Sequence, residues 1–558
     1  MNKRTTKILI LTVGFLLATA SVSTADLHAD ESTPPPNMVK NGQLVHDLVW
    51  EYGDDVQQLF HDDNGWIEFA NHSRGYSVTV PDSMTPDLSL SAVMAVLEDE
   101  NTRVEIYYDD FNNTVHSAGS YIAYSRGFLT NREDHHVEAY DMSIVNGMMM
   151  HLLQWRRTPL PLIENDKPHY TKAVFIKNSR EVYTILVKSS EPSEDHEKII
   201  KSFRLSDRLG HAKLNAEYQP VERSWNEATE RFYDHYFVNN EDLAWGIFEY
   251  SAPRSMNDLS QLESELNYEF PFLLHYKNLE REFPMQEMEN ARRNDRHVVL
   301  TLQTKFQDMA LNQRSLYPLL EGEYDHVLTD YAESLKAFGD PVLFRLNNEM
   351  NGDWCTYSAY YTSMDTEIFR ESWRYVYRFF EEAGVDNVIW VWNPHDESFP
   401  GFAWNHYLTY YPGDEYVDII GLTGYNPGTY FPGERWRPFE EVYPPMYREY
   451  SRLFKQPFMI TEFGSNSVGG DKIEWIGDMF EHMPQYTNIR VAIWWNGIDR
   501  DEDGNPGRIY RLDETPEIQE AFRRGLTNYT PPPLPPERTE PESAESGTDD
   551  SLAADTPS

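Results

Sequence analysis

Two short stretches concentrate groups that could do chemistry. In "RLNNEMNGDW", Arg345 to Trp354, an apolar run gives way to a carboxylate, Glu349, set among asparagines, a glycine and a tryptophan. In "PFMITEFGS" a second apolar run ends in Glu462. Paired carboxylates at the ends of different strands suit hydrolysis of a glycosidic bond. One, protonated, gives its proton to the leaving oxygen, while the other attacks the anomeric carbon or activates water. Retention of configuration would need the two carboxyls about 5–5.5 Å apart. A buried structural charge pair is the alternative reading of the same two residues.

The elements that must position them recur from about Asn215 onward. "LAWGIFEY", "FPFLLHY", "HVVLTLQT", "PVLFRLNNEMNG", "VIWVWNP", "VDIIGLTGYN", "PFMITEFGS" and "IRVAIWWN" are apolar and rich in β-formers. Helical patterns separate several of them, such as "EIFRESWRYVYRFFEEAG" with its terminal glycine Gly384. Near-continuous apolar strands alternating with helices imply parallel strands buried on both faces. Eight such strands over roughly 280 residues match the count and size of a (β/α)8 TIM barrel. A doubly wound sheet would want a glycine-rich loop after its first strand, and "WGIFEYSAPR" has none.

In such a barrel, polar residues at the C-terminal ends of the strands read as functional. The fourth strand ends in Asn347, Asn348, Glu349, Asn351 and Trp354. The fifth ends in Trp392, Asn393 and Pro394, followed by His395 and Asp396; the sixth ends in Tyr425 and Asn426. The seventh ends in Glu462, the eighth in Trp494, Trp495 and Asn496, and the third in Gln303. Strand alternation puts Arg345 and Glu349 on one side. A guanidinium there would favour the ionised form of a carboxylate such as Glu462; plain packing of the barrel floor is the other role open to it.

The rest of the 558-residue chain divides by texture. Residues 1–25 carry a basic start, an apolar run and small residues near Ala25, the pattern of a cleaved secretory signal, so a secreted or extracellular protein is expected. Residues 26–44 read as a flexible leader. Residues 45–205 alternate strand patterns with turn residues and close on a helical "SEDHEKIIKSFRL", an α+β accessory domain. Its pattern vaguely resembles the small α/β sandwich of PsbP-like domains, and it holds no evident catalytic constellation. The barrel is assigned to 215–530, and the proline-rich acidic stretch 531–558 reads as disordered.

A net charge of −43 repels nucleic acid and anionic membrane, excluding both as main partners, and no stretch after the signal could span a bilayer. The single cysteine, Cys355, rules out an internal disulfide. Aromatic residues make up 14% of the chain, which leans towards sugar-stacking surfaces. A polysaccharide is the expected partner, a monomer the expected state, and no cofactor or metal is expected. The acidic "DRDEDGNPGR" lacks the register of a calcium loop and reads as a solvated turn.

Five motifs in register, "RLNNEMNGDW", "VIWVWNP", "YYPGDEYVDIIGLTGYN", "PFMITEFGS" and "AIWWN", together resemble glycoside hydrolase family 26, the β-mannanase-type barrels of clan A, over Leu243 to Asn496. The resemblance implies that Glu349 is the acid/base and Glu462 the nucleophile of a retaining double displacement. It implies that Tyr425 bonds the nucleophile, that Trp354 walls a subsite, and that Trp495 or Trp494 is a platform. Trp392, Gln303 and Asn348 are further candidate sugar contacts, with Arg345 and Tyr425 supporting the nucleophile.

Three departures stand out. Asn348 replaces the histidine that precedes the acid/base in the mannanases, and Gln303 stands where they end the third strand in tryptophan-histidine. Thr423 replaces a frequent aspartate. An Asn-Glu pair is what the wider clan uses, with the asparagine on the sugar 2-hydroxyl, the hydroxyl in which mannose and glucose differ. A β-mannan is therefore expected alongside mixed-linkage β-glucan and xylan. A non-catalytic carbohydrate-binding protein on a retired barrel is the reading from a different class.

Overall fold

The structure, a computed structural model, describes residues 37–530, apart from Asp47, Asp63, Asn240, Glu241 and the side chains of residues 309–311. The expected signal segment (1–25), the leader up to residue 36 and the acidic tail (531–558) lie outside the described residues. No described helix is long and apolar enough to cross a membrane.

The expected leader gives way to structure earlier than the sequence reading placed it. Strands Asn37–Lys40 and Gln43–Val45 pair through a turn at Asn41-Gly42, both at positive φ. An Asn-Gly pair is a strong hairpin signal, but the two strands are too short to show a period. They join a six-stranded antiparallel sheet that packs on a seven-stranded one. Val39, Leu59, Phe69, Val78 and Val80 of the first sheet meet Leu97, Val104, Ile106, Phe175 and Ile185 of the second, with Ile199 and Ile200 of the helix Asp195–Ser202.

The other face of the seven-stranded sheet is also buried, which explains why "HYTKAVFIKN" and "EVYTILVKS" read as nearly unbroken apolar runs. That face carries Tyr107, Trp155, Tyr170, Val174 and Leu186 into one continuous apolar cluster with Phe402, Trp404, Tyr317, Tyr357 and Met364 of the barrel domain. Charges are buried in the same interface. Lys188 lies 2.6 Å from Asp365, 2.8 Å from Glu367 and 3.1 Å from Glu105, and Arg103 lies 2.7 Å from Glu105 and 3.3 Å from Glu367. The two cations hold the Glu105 and Glu367 carboxyls below the usual range against the pull of burial.

The barrel is closed, with eight parallel strands in sequence order. They are β1 (Ala244–Phe248), β2 (Phe272–Asn278), β3 (His297–Gln303), β4 (Val342–Leu346), β5 (Val388–Trp392), β6 (Ile419–Asn426), β7 (Phe458–Ser465) and β8 (Ile489–Trp495). These are the eight runs read from the sequence. Leu274, Val299, Leu343, Val391, Met459 and Ile493 fill the interior, and Phe232, Tyr236 and Phe237 join the same cluster from the segment before β1. Higher in the barrel the inward positions turn polar: Tyr276 pairs with Thr301 and Thr301 with Arg345 at one level.

Replacing Lys188 by methionine should leave Asp365 without its paired cation, and Glu105 and Glu367 to Arg103. Breaking a buried ionic network by removing one partner costs about 3–5 kcal/mol, so Lys188→Met should unfold at distinctly lower denaturant concentration than the wild type in an equilibrium titration.

Candidate active site

Inward facing is set by position parity, and parity sorts the aromatic candidates. Ile389 and Val391 point into the barrel, so Trp392 points out, where it is fully buried against Tyr411 and Phe454. Val491 and Ile493 point in, so Trp495 does too. Trp494 faces the helices, buried against Phe463, Trp475 and Phe522, with its indole N–H on the Tyr510 carbonyl at 2.8 Å. Of the tryptophans read as sugar contacts, Trp392 and Trp494 are thus core residues. Consecutive strand residues cannot both face the lumen.

Glu462 obeys a different device. Along β6 and β7, Leu422 pairs with Ile460 but Thr423 pairs with Glu462, so Thr461 is an extra residue. Thr461 still faces inward, its hydroxyl 2.9 Å from that of Thr423. The bulge re-aims the next side chain and delivers Glu462 to the cleft.

Glu349 lies beyond strand geometry altogether. β4 ends at Leu346, and Asn347 and Glu349 both take left-handed backbone conformations, φ 52° and 55°. Such strain persists only where surroundings over-determine it, and the asparagines of the motif do that. Asn347 Oδ1 accepts from the Thr304 backbone N–H at 2.8 Å, and the Glu349 N–H donates to the Asn393 carbonyl at 2.7 Å. Asn351 accepts from the His395 N–H at 2.8 Å and donates to its carbonyl at 2.9 Å. The turn is thereby knitted to the ends of β3 and β5. Gly352 is needed for closeness: a Cβ there would fall 2.5 Å from the Trp354 ring.

Donors converge on Glu462. Arg345 lies 2.5 Å from Oε1, the Asn348 amide donates to the same oxygen at 3.2 Å, and the Tyr425 hydroxyl donates to Oε2 at 3.0 Å. Arg345 is fully buried and fixed by the Thr301 hydroxyl and the Asn393 amide oxygen, each at 2.8 Å. Thr423 in turn accepts from Asn393 at 2.9 Å. Gln303 donates to Asn348 Oδ1 at 2.9 Å, which leaves the Asn348 N–H2 facing Glu462.

Glu349 is treated differently. It accepts one hydrogen bond, from the Trp354 indole at 3.3 Å, and stands 3.9 Å from His395. Burial, with the Glu462 charge adding to it, pushes its pKa up to about 7. A carboxyl held protonated near neutrality beside one surrounded by donors can divide acid and nucleophile roles.

Both carboxyls line a cleft of about 1000 Å3. Phe248 and Trp495 stack on one side at 5.2 Å, and Trp354, half exposed, meets His395 and Phe399 on another. The loops after β6 and β8 meet over the rim, where Tyr430 bonds Asp501 at 2.8 Å and Arg508 bonds Glu434 at 2.6 Å. "DRDEDGNPGR" forms that second loop, a hairpin turn organised by Asp501. Glu349, Glu462, Asn348, Gln303, Trp354, Tyr425 and Trp495 all line the cleft, with Arg345 beneath it. Sequence reading missed Phe248, Tyr276, Phe399 and Tyr510 as lining residues. Tyr276 was open to the parity argument, since it follows Phe272 and Leu274 by twos. Phe399 sits in a loop that no periodicity reaches.

A parallel barrel with two carboxyls in a cleft at the C-terminal ends of β4 and β7 has the architecture of a glycoside hydrolase. The sequence model of glycosyl hydrolase family 26 matches residues 286–446 of this barrel, a match that supports a family 26 catalytic domain. Endoglucanase H of Acetivibrio thermocellus is 30% identical over 209 residues, 37% of this chain and 22% of that protein. A mannan endo-1,4-beta-mannosidase of Bacillus subtilis is 30% identical over 167 residues, 29% of this chain and 41% of that protein. The chain thus spans well under half the length of these curated relatives. A modular endo-beta-1,4-mannanase structure from Cellulomonas fimi aligns with TM-score 0.44 and 16% identity, over 55% of this chain and 76% of that one.

The raised Glu349 pKa sets a pH limit. A proton donor must hold its proton, so any rate that uses Glu349 as the acid should fall as pH rises through about 7. In Glu462→Gln the neighbouring negative charge is gone, and a carboxyl 13C NMR titration should show Glu349 titrating at lower pH than in the wild type.

Proposed function

We propose that the protein is a retaining glycoside hydrolase that cleaves a β-linked polysaccharide, β-mannan or a related β-glycan, by double displacement. The observation that carries this is the contrast between the two carboxyls: Glu462 gripped by Arg345, Asn348 and Tyr425, and Glu349 pushed up to about 7. In the first step a Glu462 oxygen attacks the anomeric carbon. The bond to the leaving oxygen breaks, and that oxygen takes the Glu349 proton. In the second step water attacks the same carbon, Glu349 accepts its proton, and Glu462 departs. Phe248, Trp495 and Trp354 offer apolar faces on which sugar rings can stack. Both carboxyls keep the surroundings their chemistry needs, which favours catalysis over a retired, purely binding barrel.

The names of the relatives support β-glycans without fixing one sugar, since they include mannan endo-1,4-beta-mannosidases, an endoglucanase and beta-1,3-xylanases. Asn348 and Gln303 replace the histidines of the mannanases near the sugar 2-hydroxyl, so mixed-linkage glucan and xylan stay beside mannan as substrates. Export rests on the basic, apolar and small-residue order of residues 1–25.

The test is a reducing-end assay over mannan, mixed-linkage β-glucan and xylan, with the anomeric form of the first product followed by NMR. Release of β-configured product by the wild type is expected, with loss of at least about a thousandfold in kcat for Glu462→Ala. Glu349→Ala should likewise lose polysaccharide hydrolysis. Binding of a glycan with no product, or an inverted product, would overturn the reading.

A further inference from the structure

The N-terminal domain lines no part of the cleft, yet it grips the two loops that carry the cleft's exposed aromatics. The loop after β4 runs from Glu349 through Trp354 to Asp365, and the loop after β5 carries His395, Phe399 and Phe402. The Tyr124 hydroxyl of the N-terminal domain bonds the carboxylate of Asp353, the residue next to Trp354. The Tyr124 ring lies 5.0 Å from Tyr360 of the same loop, and a Cβ on Gly127 would fall 2.1 Å from the Tyr360 ring. On the second loop, Asp109 accepts from the Ala403 N–H at 2.7 Å and Ser125 from the Trp404 indole at 3.2 Å. Phe402 is boxed by His116 and Tyr121 at 4.8 Å and Phe111 at 5.7 Å. The loops also bind each other, the Phe399 N–H donating to the Asn351 carbonyl at 2.8 Å.

These contacts all fall on one side of the chemistry. The group that protonates the leaving oxygen must stand on the leaving-group side of the scissile bond. Trp354, bonded to Glu349, and Phe399 beside it therefore form that side. Resting on the hydrolase reading, we propose that the N-terminal domain braces the leaving-group side of the cleft from behind, with Tyr124 acting through Asp353 and Asp109 through Ala403 as positioning residues for Trp354 and Phe399. Docking of the domains does not depend on either bond. Lys188 with Asp365, Arg314 with Asp134 at 2.8 Å and His135 with Tyr317 at 2.8 Å anchor the interface elsewhere.

Tyr124→Phe removes one hydroxyl and keeps the ring, and Asp353→Asn keeps the loop's shape. Each full-length variant is assayed on galactomannan or mixed-linkage β-glucan, whichever the wild type cleaves, and on the dinitrophenyl β-glycoside of the matching disaccharide. That short substrate has a leaving group that needs no proton and fills no sugar site beyond the bond. Loss of a hydrogen bond to a charged group should raise KM for the polymer about threefold to tenfold. The aryl glycoside kcat/KM should stay within about twofold, and the double variant should match the worse single one, as for residues acting as one unit. An unchanged polymer KM, or equal losses on both substrates, would overturn the proposal and leave the contact structural. A wild type that cleaves neither substrate would instead bring down the hydrolase reading itself.

Discussion

The contact on which the upper barrel depends is the one between Arg345 and Glu462, 2.5 Å apart in a layer where Arg345 has no exposure to solvent. A guanidinium taken out of water is expensive unless paired and hydrogen-bonded. Here it meets Thr301 on β3, Asn393 just past β5 and Glu462 on β7, while itself belonging to β4. One buried cation therefore ties four strand ends to a common centre. The layers below are aliphatic, filled by Leu274, Val299, Leu343, Val391, Met459 and Ile493.

From that centre the asymmetry of the two carboxyls follows. Glu462 lies inside the network and receives donors on both oxygens, whereas Glu349 sits at its margin with a single indole bond. The strained turn after β4 makes this possible. Two left-handed residues, Asn347 and Glu349, lift the side chain out of the alternation that would otherwise have set it. The strain is held by asparagine bonds to β3 and β5, so the position of Glu349 depends on the same strand ends that Arg345 organises.

The eight strands were legible because burial on both faces writes unbroken apolar runs, and the barrel class followed from their count. The pair of glutamates was legible because a carboxylate at the end of such a run has few other uses. What stayed hidden depends on single-residue geometry. The bulge at Thr461 reverses the parity of Glu462, and nothing in "MITEFGS" announces it. Parity could have removed Trp392 and Trp494, since residues on either side of them face inward, but the composition of "WVW" and "WW" drew attention to bulk instead of direction. The docking of the first domain was illegible for another reason. Tyr124 and Asp353, or Lys188 and Asp365, are far apart in the chain and carry no local pattern.

The site's departures from the mannanases gain meaning from the hydrogen bonds. Gln303 donates to Asn348 and so fixes which end of that amide meets Glu462. Two amides hold the place where a histidine pair stands in the mannanases. Amides do not titrate, Arg345 is raised further by its anionic neighbour, and burial raises Tyr425 well above its ordinary range. The shell that touches Glu462 thus keeps one protonation state across neutral pH. Glu349, pushed up to about 7, stands on the side of the cleft built from the β4 and β5 loops, and those are the loops the N-terminal domain holds.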